Sequence, residues 1–186
     1  QHISPGTSHT TPRICDMQES VCLITGATSG IGRSAACELA RLGNTVVVVG
    51  RNKEKCAVTV ERITNTTGNR SVGYLVADLS SQIDVRALAE QFQSKYSRLD
   101  VLINNAGTIA WTRQSSSDGI ELTFALNHLS YFLLTNLLID VLRESAPSRI
   151  VNVSSVAHMR ADIDLDDIQN PKRYRGLQAY GQSKLA

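Results

Sequence analysis

Apolar residues along this chain switch between two rhythms. VCLI (21–24) is apolar at every position and TVVVV (45–49) is β-branched on both faces, as a strand covered on both sides should be. Between them IGRSAACELARLGN follows helical spacing, with Ile31, Ala35, Leu39 and Leu42 on one stripe and Gly43-Asn44 as the stop. The rhythm then repeats. A charged helix over 53–66 precedes the strand SVGYLVAD (71–78). Ser81-Gln82-Ile83-Asp84 has the form of a capping box opening a helix to residue 96. LDVLIN (99–104) is a strand, 120–143 reads as one long apolar helix, and RIVNVSS (149–155) is a fifth strand. A polar loop of roughly 20 residues leads to a last helical segment, AYGQSKLA. Strand and helix in alternation imply an α/β fold, a doubly wound parallel sheet with helices on both faces in three layers.

Composition narrows the picture. The chain has 186 residues, long enough for one domain with a real core. Apolar residues make up 42% and charged residues 19%, a globular rather than a disordered balance. A net charge of +2 gives no reason to expect nucleic acid or an anionic surface as partner. No apolar run has the length of a membrane span. The first 20 residues, rich in hydroxyls and lacking an apolar core, read as a disordered leader ahead of a single domain over 21–186. Cys15, Cys22, Cys37 and Cys56 form no CxxC pair, and Cys22 and Cys37, inside a predicted strand and helix, read as reduced structural thiols, which points to the cytoplasm.

The turn TGATSGIG between the first strand and first helix carries Gly26, Gly30 and Gly32 in a variant of the dinucleotide fingerprint. Such glycines let backbone approach a pyrophosphate that rests on the positive end of the helix. An NAD-selective fold places an acid at the end of the second strand. Here VVVVGRN offers Arg51 and Asn52 instead, and a guanidinium suits a 2′-phosphate, so NADP (NADPH) is expected over NAD. Arg51 could equally be a solvated surface residue. Asp78 sits where ligands of such sheets bind, and could equally be a loop or capping residue.

TGATSGIG, NNAG, NVSS and YGQSK, in this order and rough spacing, closely resemble the short-chain dehydrogenase/reductase family. NVSSVAH followed by a long insertion and AYGQSKLA is similar to its retinol-dehydrogenase-like branch. The resemblance implies a Rossmann fold and an oxidoreductase that interconverts a carbonyl and an alcohol, here a small retinoid-like or other lipophilic substrate. Tyr180 and Lys184 match the YxxxK pair, Ser155 the catalytic serine and Asn127 the catalytic asparagine. Thr25, Gly26, Ser29, Gly30, Ile31 and Gly32 match the phosphate-side loop. Asp78 and Leu79 match the adenine contact, and Asn105, Ala106 and Gly107 the adenosine-side strand end. The family's long helix, matched by 120–143, implies a homodimer.

The chemistry has its own logic. Residues four apart share a helix face, so Lys184 can bring its ammonium toward Tyr180 and favour the phenolate. Tyr180 then serves as general acid or base, Ser155 bonds the same substrate oxygen, and Asn127 anchors a water in a relay to Lys184. His128 and His158 read as structural. Two features depart from the family pattern. Tyr180 follows Ser155 by 25 positions, a longer interval than usual. The family also continues well beyond the Tyr–Lys segment, so AYGQSKLA reads as a cut through an active site with the last strands missing. The alternative expectation is a catalytically silent fragment that binds nucleotide or a partner.

Overall fold

The computed structural model describes residues 19–171 and 173–186. Residues 1–18 of the leader expected over 1–20, Cys15 among them, lie outside the described residues. Five parallel strands form one sheet in the order β3-β2-β1-β4-β5: β1 (Val21–Thr25), β2 (Thr45–Gly50), β3 (Val72–Val76), β4 (Val101–Asn104) and β5 (Arg149–Asn152). The helices α1 (Gly30–Arg41), α2 (Lys53–Thr67) and α3 (Gln82–Lys95) connect the first four strands. The chain reverses direction across the sheet at β1 and β4, the switch point at whose carboxyl edge ligands of such sheets bind.

Alternation along the central strands divides the core. Ile24, Val46 and Val48 face α1 and α2 with Ala36, Ala40 and Ile63. Leu23, Val47 and Val49 face the other way, onto Leu88, Phe92, Leu134 and Leu138. Val46 to Val49 are all fully buried, as a strand apolar on both faces requires. At the opposite end of the strands, Asp100 fastens β1. Its Oδ2 accepts the Val21 amide at 2.7 Å and the Arg98 Nε at 3.0 Å.

Three expectations need correction. Ile31 is 73% exposed rather than part of the core stripe, because the first turn of α1 projects beyond the sheet edge. The buried face of α1 is Gly32, Ala36 and Ala40. The helix expected over 120–143 is not continuous. It runs as α4 (Leu122–Phe124), a π-helical turn (Ala125–Leu129), α5 (Ser130–Leu137) and α6 (Ile139–Glu144), with a break at Leu138 (φ −104°, ψ 4°). Finally, only half of the capping box forms. Ser81 Oγ accepts the Asp84 amide at 3.4 Å, but Asp84 turns its Oδ2 to the amide of Asp78.

After β5 a 3₁₀ turn (Val156–Arg160) and an irregular segment lead to α7 (Gly176–Leu185). Gly176 lies so close to the loop after β4 that a Cβ there would stand 2.5 Å from the Ala110 carbonyl oxygen. A Cβ at Gly181 would stand 2.9 Å from the Ala157 oxygen. Two small residues thus let α7 settle between the β4 loop and the turn that begins at Ser155.

Candidate active site

The glycine loop is built against the end of β4. Thr25 Oγ1 accepts the amides of Asn105 (2.9 Å) and Ala106 (3.0 Å) and donates to the Ile103 carbonyl at 3.3 Å. Asn105 returns the bond through its amide, which donates to the carbonyls of Thr25 (2.9 Å) and Gly26 (3.2 Å). Gly26 has φ +65°, and a Cβ there would lie 2.7 Å from the Ala106 Cα, so only glycine permits this approach. Beyond it, Ser29 begins α1 without a side-chain cap, and Ser29, Gly30 and Ile31 are exposed. The positive end of a 12-residue helix therefore opens to solvent at the carboxyl edge of β1, a place fit for a phosphate.

The residues expected on the adenosine side are more occupied. Arg51 is exposed at the end of β2, but Asn52 caps α2, its Oδ1 accepting the Lys55 amide at 2.7 Å. Asp78 is exposed and makes a local turn, its Oδ1 accepting from the amide (3.0 Å) and hydroxyl (2.7 Å) of Ser80. Leu79 beside it is buried.

On the other side of the switch point, the π-helical turn and α5 reach across to α7. Asn127, 2% exposed, accepts the Thr108 amide at 2.8 Å. Its Nδ2 donates to the Thr108 carbonyl and the Ser183 hydroxyl, each at 2.9 Å. The Asn127 side chain thus ties the β4 loop to α7. Lys184 Nζ donates to the Val153 carbonyl at 2.7 Å and to the Tyr131 hydroxyl at 3.3 Å, and lies 4.9 Å from the centre of the Tyr131 ring. It makes no hydrogen bond to Tyr180. Burial holds the Lys184 ammonium below the usual lysine range. Gly107 completes the corner, a Cβ there being 3.3 Å from Asn127 Oδ1 and 3.6 Å from Lys184 Nζ.

Ser155 Oγ accepts the Ala157 amide at 3.3 Å, opening the 3₁₀ turn against which α7 packs. Tyr180 is half-buried on α7, and its hydroxyl makes no hydrogen bond among the described residues. It lies close enough to Tyr131 to help raise that phenol's pKa, although burial is the larger cause. His128 stacks on Phe124, and His158 Nδ1 meets the Ser155 carbonyl.

Sequence reasoning passed over Tyr131 and Glu121. Tyr131 is hidden in the apolar run SYFLL, where an aromatic reads as core. Glu121 is fully buried, its Oε1 accepting the Thr123 amide (2.8 Å) and its Oε2 the Phe124 amide (2.7 Å). The Tyr174 hydroxyl stands 3.1 Å from Oε1 and 2.9 Å from the Ala110 carbonyl. The amide of Glu121 donates to Gln169 Oε1 at 3.2 Å. Glu121 therefore fixes the segment before α7 to the start of α4, and an acid inside GIELTF was the available signal.

The sequence profile of the short chain dehydrogenase family matches residues 20–164, a span that includes Ser155 and ends before Tyr180. The chain is 44% identical over 165 residues to retinol dehydrogenase 13 of Homo sapiens, covering 88% of this chain and 50% of that protein. Over 172 residues it is 43% identical to polyprenol dehydrogenase of Homo sapiens, covering 90% and 52%. It spans about half the length of these curated relatives. Among solved structures, the Pseudomonas aeruginosa RhlG/NADP active-site complex superposes with a TM-score of 0.73 at 32% identity, over 91% of this chain and 63% of that one. A short chain dehydrogenase from Escherichia coli complexed with NADPH gives 0.75 at 29%, over 94% and 70%. The chain belongs to the short-chain dehydrogenase family, on its retinol-dehydrogenase-like branch.

Proposed function

We propose that these residues form the cofactor-binding and catalytic part of an NADP-dependent oxidoreductase that interconverts a lipophilic carbonyl compound and its alcohol. The observation that carries the reading is the meeting, at one edge of the sheet, of the uncapped α1 terminus, the β4 end and the helix bearing Tyr180 and Lys184. The Thr25–Asn105 bonds and the glycine approach shape a backbone cradle fit for a dinucleotide. Thr25, Gly26, Ser29, Gly30, Ile31 and Gly32 would hold its phosphates, Asp78 and Leu79 the adenine, and Asn105, Ala106 and Gly107 the adenosine side.

Bound NADPH supplies the hydride. The chain's own residues manage the proton and the oxygen. Tyr180 gives its phenolic proton to the nascent alkoxide, or takes it in the reverse direction. Lys184, held by Val153 and Tyr131, places a positive charge on α7 that favours the phenolate. Ser155 bonds the substrate oxygen and orients it. Asn127 fixes Thr108 and Ser183 through its side chain and anchors the water of a relay to Lys184. Arg51, exposed where an acid would favour NAD, is the contact for a 2′-phosphate.

A lipophilic substrate fits the surroundings. Trp111 is 71% exposed on the loop against which Gly176 packs, and Leu177 follows on α7. Val156 and Met159 are exposed on the adjoining 3₁₀ turn. The exposed Phe132 on α5 supports self-association of the whole protein into a homodimer. No helix among the described residues is long and apolar enough to cross a membrane.

NADPH oxidation by the purified whole protein, with retinal and aliphatic aldehydes, tests the proposal. Turnover lost in Tyr180→Phe and a preference moved toward NADH in Arg51→Ala are expected. Full activity in Tyr180→Phe would refute it. A second reading is a chain that binds nucleotide or a partner without turnover, the partner meeting the apolar residues that α5 exposes, Phe132 among them. NADPH binding with no turnover in the same assay would select that reading.

A further inference from the structure

Between Asn127 and Tyr131 the chain makes one helical turn, and each side chain spans the same gap. Asn127 links the backbone of Thr108 to the Ser183 hydroxyl. Tyr131 links the backbone of Ala106 to Lys184, its hydroxyl donating to the Ala106 carbonyl at 2.8 Å while accepting from Lys184 Nζ at 3.3 Å. The two side chains are successive rungs between the β4 loop and α7. The Tyr131 side chain is buried, and its ring also lies beneath the ammonium.

What surrounds Lys184 makes this rung matter. None of the ion pairs among the described residues includes Lys184, so no acid among them pairs with its charge. The groups facing it are neutral oxygens and an aromatic ring: the Val153 carbonyl at the end of β5 and the Tyr131 hydroxyl and ring from α5. His128, from the π-helical turn, lines the same 440 Å³ cavity as Lys184. A half-buried ammonium without a counter-ion depends on the few acceptors it has.

We infer that Tyr131 is a positioning residue for the reaction proposed above, holding the Lys184 ammonium in place and fixing the distance between α7 and the Ala106–Gly107 backbone. The inference rests on Lys184 acting with Tyr180. It adds a residue that acts through Lys184. Its hydroxyl bonds both to the strand end expected to lie along the adenosine and to the lysine that tunes the acid.

The test is Tyr131→Phe, which keeps the ring and removes the oxygen. Loss of an acceptor disfavours the charged form of Lys184. The ammonium should then lose its proton at lower pH, and the alkaline limb of the kcat profile should move to lower pH. The expected fall in kcat is about tenfold, with a smaller change in KM, as for a lost hydrogen bond to a charged group. A second readout needs no turnover: the rate at which acetic anhydride modifies Lys184, followed by peptide mass spectrometry from pH 7 to 11. At pH 8 that rate should rise about threefold in Tyr131→Phe, the mark of a pKa lowered by about half a unit. Tyr131→His, which keeps a ring nitrogen able to accept, should restore part of both effects and serves if Tyr131→Phe folds poorly. A variant that loses thermal stability with no movement of either pH profile would make Tyr131 merely structural and overturn the inference. Activity retained in Tyr180→Phe, by contrast, would overturn the proposed reaction while the Lys184 modification profile still judged Tyr131.

Discussion

Replacing Glu121 with alanine tests how the segment before α7 is held. The carboxyl group is fully buried and gathers the amides of Thr123 and Phe124 together with the Tyr174 hydroxyl. Removing it takes the cap from the first turn of α4, a loss of about 1–2 kcal/mol. The Tyr174 hydroxyl, whose single proton is shared between Oε1 and the Ala110 carbonyl, is left with the carbonyl alone, and a small cavity remains, together about 1–2 kcal/mol more. The sum is about 3 kcal/mol. In a domain of this size that lowers Tm by roughly 6–12 °C. Circular dichroism melts read the shift, and a double-mutant cycle with Tyr174→Phe isolates the shared bond, with a coupling of about 1 kcal/mol expected. Glu121→Gln, which keeps one carbonyl acceptor, should cost roughly half as much. A fall of less than about 2 °C in Glu121→Ala, or a coupling near zero, would show that the segment is held by its apolar contacts instead.

Two further outcomes follow from the geometry of β1 and its glycine loop. Gly26→Ala forces a side chain onto φ +65° and to 2.7 Å from the Ala106 backbone, whereas Gly30→Ala, at φ +51°, meets open space. The first should cost about 2 kcal/mol more than the second in urea unfolding and should also abolish NADPH binding; equal costs would mean that the β4 strand end yields freely. Burial, and secondarily the nearby Asp100, push the Cys22 thiol up to about 12 from 9.0. Its stabilising effect is complete below about pH 9 and is lost as pH rises toward 12, because the unfolded chain releases that proton first. Wild type should lose about 2 kcal/mol more than Cys22→Val between pH 8 and 10.5, and identical urea midpoints at both pH values would disprove this.

The sheet was legible because its strands are apolar on both faces and its turns carry glycine, so one pattern sufficed for each of 45–49 and 21–24. The site was legible where a motif stands in one piece, as in TGATSGIG. Ile31 misled because helical periodicity does not say where a helix leaves the sheet behind. The π-helical turn and the break at Leu138 carry no glycine or proline, and their cause is tertiary: Asn127 must meet Thr108 and Ser183 while Leu134 and Leu138 stay in the core. Glu121 and Tyr131 were hidden for the same reason. Each meets partners far away in sequence, Tyr174 for one and Lys184 for the other, and local spacing carries no trace of those encounters.

The strand order has a consequence in time. β1 is made before the other described strands and lies at the centre, yet its neighbour β4 and the Asp100 oxygen that receives the Val21 amide come 79 residues later. At synthesis rates of about 5–20 residues per second, that partner follows roughly 4–16 s behind. For that interval a growing chain can pair β1 only with β2, leaving the other edge of its most apolar strand open on the ribosome. Codons or chaperones that alter the pace between residues 50 and 104 therefore act on the stage at which this sheet is most exposed to wrong partners.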